Sequence, residues 1–171
     1  MTTATEPVAR ITLDIACDAT AVDCPDTESW QRAADVALSL ADIEVSLDGE
    51  QVVAIAIVPP AQSAALNTEW RDKPGPTNVL AFPVPRDQVA PIAELSGEGA
   101  HLGDLVICAD VVADEAKAQG KALAHHYLHM VVHGCLHLVG YDHIEADEAE
   151  RMEALERQAL QALGVPDPYA V

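Results

Sequence analysis

The segment Ala122 to Val139 constrains the fold more than any other part of the chain. Leu123, Leu128, Met130, Val131, Val132, Leu136, Leu138 and Val139 fall on most sides of a helix drawn through it. A helix apolar all round belongs in the interior, between other elements. The same helix carries His125, His129, His133 and His137 in one continuous i,i+4 row. A central buried helix with imidazoles along one face is therefore the fixed point of the reading.

His133 and His137 stand four residues apart, so both rings lie on one helical face, one turn apart. A third ligand from the same straight helix is out of reach. The set His129, His133 and His137 fails because residues eight apart are separated by about 12 Å at 1.5 Å rise per residue. Gly140 offers another route, because glycine adopts the left-handed conformation that ends helices and turns the chain back. His143 then returns to the same point. Three neutral histidines on zinc leave a fourth tetrahedral position for water, the arrangement of a catalytic site. Imidazole also suits nickel, copper and iron. The bland alternative is a chance cluster, since six of the seven histidines crowd into the stretch from 125 to 143. The turn at Gly140 favours the metal.

The string His133-x-x-x-His137-x-x-Gly140-x-x-His143 also fits a zinc-protease pattern, except that Gly134 stands where a glutamate is needed. Without that carboxylate a peptidase lacks its general base. A metal that acidifies water and polarises a substrate oxygen remains sufficient for phosphodiester chemistry. Cys135 lies between two ligands but points to a different helical face, so it is read as packing.

With 171 residues and 50% hydrophobic content, one domain over 1–171 with one core is expected. Met1 to Pro7 shows neither a basic nor an apolar leader region, and no apolar run approaches a membrane span. A soluble, cytoplasmic protein follows, with no membrane partner and with Cys17, Cys24, Cys108 and Cys135 reduced. The net charge of −19 repels polyanions at long range and counts against generic nucleic-acid binding, DNA included. A local basic cluster beside a metal would still attract phosphate, because salt screens distant charges beyond about 8–10 Å.

Alternation at Ile11, Leu13 and Ile15 predicts a strand over Val8 to Ile15. Asp26 opens a helix carrying Trp30, Ala33, Ala34, Ala37 and Leu40 on one face. Ile43 to Leu47 and Val52 to Val58 read as an antiparallel hairpin about Asp48-Gly49. Pro59-Pro60 starts a short helix through Trp70, a basic loop follows, and Asn78 to Phe82 and Leu105 to Cys108 supply further strands. Val84 to Ala100 reads as a surface excursion, Asp110 to Gln119 as a helix, and Asp147 with Glu150 as the capping box of a last helix faced by Met152, Leu155, Ala159 and Leu163. The fold class is α+β: a small mixed sheet of about four strands plus the hairpin, packed against helices, with the metal-binding helix buried at its centre.

His133-Gly-Cys-Leu-His137-Leu-Val-Gly-Tyr-Asp-His143 closely resembles the signature of the YbeY family of bacterial endoribonucleases, also called rRNA maturation factors. Leu66-Asn67 through Arg71, with Pro76-Thr-Asn-Val-Leu-Ala-Phe-Pro83, is similar to a second signature, and Leu102-Gly-Asp-Leu-Val-Ile-Cys108 to a third. The resemblance implies one Zn2+ on His133, His137 and His143, a functional Arg71 on the cleft wall, and Lys73 as a second basic group for substrate. It implies cleavage of single-stranded rRNA precursors, including maturation of the 16S 3′ end, ribosome quality control, and contact with the ribosome or its small-subunit proteins. Guanidinium suits that task because it grips phosphate in bidentate fashion. Two positions depart from the family pattern: Gly75 stands for a lysine and Ala81 for a serine, and loss of the lysine weakens the local positive field. The alternative reading is a ribosome-assembly binding factor whose zinc is structural and which has no nuclease activity of its own.

Overall fold

The computed structural model describes residues 11–17, 26–41, 50–85, 87–89, 91–92 and 99–170. Strand β1 (Ile11–Cys17) leads to helix α1 (Thr27–Leu40), then β2 (Gln51–Val58), α2 (Pro60–Arg71), β3 (Val79–Pro83) and β4 (Ala100–Cys108). Helices α3 (Ala109–Gln119), α4 (Leu123–Leu138) and α5 (Ala146–Ala162) complete the order. The four strands form one mixed sheet in the order β1-β2-β4-β3. β1, β2 and β4 run parallel, and β3 is the antiparallel edge.

Asp26 caps α1 by accepting a hydrogen bond from the Ser29 N–H at 2.7 Å, and Trp30, Ala33, Ala34, Ala37 and Leu38 are buried beneath it. Along β2, Gln51, Val53, Ile55 and Ile57 are buried while the residues between them are half-buried, the period of a pleated strand. Helix α4 packs against β3, β4, α1, α3 and α5. Its Tyr127 ring meets Trp30 of α1 at 5.5 Å between centroids. The central buried helix expected from sequence is this one. A smaller polar knot, in which Asn78 donates to Glu115 and Glu115 faces His126 Nε2 at 2.9 Å, ties the start of β3 to α3 and α4.

Gly103 shows how closely the elements approach. Its φ is +151°, and a Cβ there would stand 2.5 Å from the Phe82 carbonyl oxygen, 2.9 Å from Pro83 Cα and 2.6 Å from Leu138 Cδ2. The register between β2 and β4 shifts at this point.

Several boundaries differ from expectation. The first strand runs Ile11–Cys17, and Val8 to Arg10 lie outside the described residues. The proposed strand Ile43 to Leu47 and its Asp48-Gly49 turn also lie outside them; within them, both edges of β2 are taken by parallel neighbours. Much of the Val84 to Ala100 excursion is likewise outside. The capping box is corrected: α5 begins at Ala146 after Glu145, which makes no side-chain cap, so Asp147 and Glu150 lie inside the helix. Asp147 instead sits in the first turn, where a carboxylate complements the helix dipole. No described helix is long and apolar enough to cross a membrane.

Candidate metal centre

Helix α4 ends as the glycine predicted. Gly140 has φ +102°, the Gly140 N–H donates to the His137 carbonyl at 3.1 Å, and the Tyr141 N–H donates to the Leu136 carbonyl at 3.1 Å. These two bonds form a Schellman motif, which reverses the chain within two residues of the helix end. His143 is thereby returned to the His133 and His137 face. Ring centroids are 4.6 Å apart for His133 and His137, 5.1 Å for His137 and His143, and 5.6 Å for His133 and His143.

One nitrogen from each of these rings lies within 4.8 Å of the others. Two nitrogens on a tetrahedral ion with bonds of about 2.0–2.1 Å stand roughly 3.3 Å apart; the Nε2 atoms of His133 and His137 are 3.1 Å apart. Burial, then the neighbouring His133 and His143, lower the His137 pKa to about 4. At neutral pH its ring is therefore uncharged, the form that binds metal. His133 and His137 are half-buried and His143 is exposed, so the trio opens on one side. The donor set fits a divalent transition ion with room for a further ligand.

The rival trio of His129, His133 and His137 is not assembled. His129 instead belongs to a second group with His133 and Glu156. Glu156 is completely buried on the core face of α5, between Met152 and Ala159, and faces His133 Nδ1 in a direct short contact. Burial disfavours its charge, but the His129 and His133 rings and the Tyr169 hydroxyl outweigh this and hold its carboxyl well below the usual range. The acidic face opposite the Met152, Leu155, Ala159 and Leu163 stripe reads from sequence as solvated; Glu156 lies on the apolar side instead and is buried there. An acid set among Met152, Ala159 and Leu160 on the apolar stripe was the available signal.

Gly134 packs against the sheet. A Cβ there would stand 2.7 Å from Leu105 Cδ2, so the position that carries the base in zinc proteases has no room for a glutamate. Cys135 is fully buried and burial pushes its thiol up to about 12, in keeping with packing rather than ligation. In the native protein at pH 8, Cys135 is expected to stay unmodified by a soluble alkylating reagent and to react fully after denaturation, as read by peptide mass mapping. Rapid native labelling would contradict its placement.

Arg71 is the last residue of α2, exposed, and Lys73 follows in the loop. Among the described residues neither side chain forms an ion pair or hydrogen bond. The loop itself is tied down: Asp72 takes φ +53°, Asn67 Nδ2 donates to the Gly75 carbonyl at 2.9 Å, and the Thr77 N–H donates to Ser63 Oγ at 3.0 Å. Gly75, at φ +84° with open space around it, suits the turn by conformation rather than by size. A chain of contacts runs from the end of α2 towards the end of α4: Trp70 meets Phe82 edge-on at 5.9 Å, and the Phe82 carbonyl and Leu138, the residue after His137, both close on Gly103.

Fold and site together define an α+β protein with a histidine-only centre compatible with a metal ion. The chain belongs to the endoribonuclease YbeY family, whose model matches residues 14–164. It is 48% identical over 155 residues to the endoribonuclease YbeY of Pseudomonas entomophila (strain L48), covering 89% of each chain. It is 46% identical over 160 residues to that of Stutzerimonas stutzeri (strain A1501), covering 94% of this chain and 92% of the other. A solution structure of TM1509 from Thermotoga maritima aligns with a TM-score of 0.49 at 18% identity, over 94% of this chain and 100% of that one.

Proposed function

We propose that this protein is a single-domain, cytoplasmic, zinc-dependent endoribonuclease that cuts single-stranded RNA in ribosomal RNA maturation, 16S 3′ ends included, and in ribosome quality control. The observation that carries this reading is the convergence of His133, His137 and His143 in a family whose named relatives are endoribonucleases. When bound, such an ion acidifies water and polarises a phosphate oxygen. The chain's own residues do the rest. His137 is uncharged and ready to ligate. Arg71 has no competing ion pair among the described residues, so its guanidinium is available to grip a phosphate and to stabilise charge developing at phosphorus. Lys73 adds a second, more mobile charge in a chain otherwise strongly acidic.

Arg71→Ala separates the chemistry from the fold. The variant is expected to keep its zinc by elemental analysis and its thermal midpoint, while cleavage of a single-stranded RNA falls about 100-fold or more. Cleavage at the parent rate would remove Arg71 from the reaction. Product ends distinguish the attacking group, since a 2′,3′-cyclic phosphate reports the RNA 2′-hydroxyl and a linear phosphate reports water. A parent protein with one zinc per chain that leaves single-stranded RNA intact would favour the assembly-factor reading.

A further inference from the structure

We infer that Glu156 and Tyr169 are positioning residues for the metal centre, forming a hydrogen-bonded relay that runs from the C-terminal segment to the back of His133. This rests on the reading of His133, His137 and His143 as metal ligands. His133 has two ring nitrogens with separate tasks. Its Nε2 faces His137 Nε2 at 3.1 Å, on the side where the three rings converge. Its Nδ1 faces Glu156 Oε1 directly, so the Nδ1 proton is held by the carboxylate and Nε2 is left with a free lone pair.

Glu156 is fully buried. A buried carboxylate is retained at a cost unless its oxygens are engaged. Its second oxygen accepts a hydrogen bond from the Tyr169 hydroxyl and lies 3.6 Å from His129 Nε2. Tyr169 is fastened in its turn. Its N–H donates to Asp167 Oδ1 at 2.8 Å, the Arg157 guanidinium lies 5.1 Å from its ring centroid, and Arg157 Nε is 3.4 Å from Asp167 Oδ2. Lys121 Nζ donates to the Pro168 carbonyl at 3.1 Å and ties the same segment to the start of α4. A carboxylate behind a ligating imidazole sets its tautomer and orientation and raises its basicity as a donor. In this protein the residue that orients the carboxylate comes from a different part of the chain.

The test is metal affinity, measured with Zn2+ against a chromophoric chelator, with the visible spectrum of the Co2+ form and the thermal midpoint of the metal-free form as companions. Glu156→Gln keeps the shape and removes the charge; it is expected to weaken zinc binding about 10–100-fold and to alter the Co2+ spectrum. Tyr169→Phe should weaken binding in the same direction by less than about 10-fold. Because Tyr169 acts through Glu156, the double variant should bind no more weakly than Glu156→Gln alone. Unchanged zinc affinity and Co2+ spectrum in a folded Glu156→Gln protein would overturn the relay. Should Glu156→Gln not fold, unchanged affinity in Tyr169→Phe overturns it instead. A parent chain that binds no zinc would defeat the ligand reading itself, and the relay with it.

Discussion

His137→Ala is expected to strip the protein of its metal and of RNA cleavage while leaving it folded. His137 is the middle ring of the trio, 4.6 Å from His133 and 5.1 Å from His143 between centroids. Loss of an outer partner of a metal ligand typically costs 10–100-fold in affinity, so loss of a ligand itself should exceed about 100-fold. Around the site, Val131, Val132, Leu136 and Leu138 are buried in the apolar core that α4 shares with the sheet and with α1. That core does not depend on the ion. The metal-free variant should therefore melt within a few degrees of the metal-free parent by calorimetry, contain no zinc by elemental analysis, and leave single-stranded RNA uncut. A metal-free His137→Ala protein that cuts at the parent rate would end the metal-dependent mechanism. A variant that unfolds outright would instead make the ion a structural one.

Gly103→Ala should produce the largest loss of stability from a single added methyl group. Two of the three atoms that the new Cβ would meet, the Phe82 carbonyl oxygen at 2.5 Å and Pro83 Cα at 2.9 Å, are backbone and cannot rotate aside. Overpacking costs about 1–3 kcal/mol and a residue held in a disfavoured backbone region about 1–3 kcal/mol more. The sum, on the order of 4 kcal/mol, is a large part of a typical domain stability of about 5–15 kcal/mol. Urea unfolding should show the midpoint falling with an unchanged slope. Since β3 would have to retreat from β4, the contact path from Trp70 through Phe82 to Leu138 would loosen as well. A loss below about 1 kcal/mol would contradict the close approach of the strands.

The sites legible in the chain were the short-range ones. His133, His137 and His143 fall within eleven residues, and helix periodicity plus one glycine-dependent reversal is enough to bring them together. Trp30, Ala33, Ala34 and Ala37 were readable as a buried face for the same reason. Asp147 misled because a plausible cap sequence does not decide which turn of the chain becomes the first turn of the helix; α5 starts at Ala146 regardless. Arg71 and Lys73 came to notice through the motif they resemble, since an exposed cation in a polar loop carries no periodic signal.

Backbone repeat distances are a property of neighbouring residues, and they alone placed two imidazoles on one helical face and let Gly140 return the third. Packing between distant segments is another matter. Glu156 reaches His133 across twenty-three positions, and Tyr169 reaches Glu156 from the C-terminal segment. Gly134 and Gly103 are small because Leu105 in one case and the Phe82-Pro83 backbone in the other press against them. Only the folded arrangement brings those partners into contact, because the free energy of burial depends on what lies opposite, which no local pattern specifies.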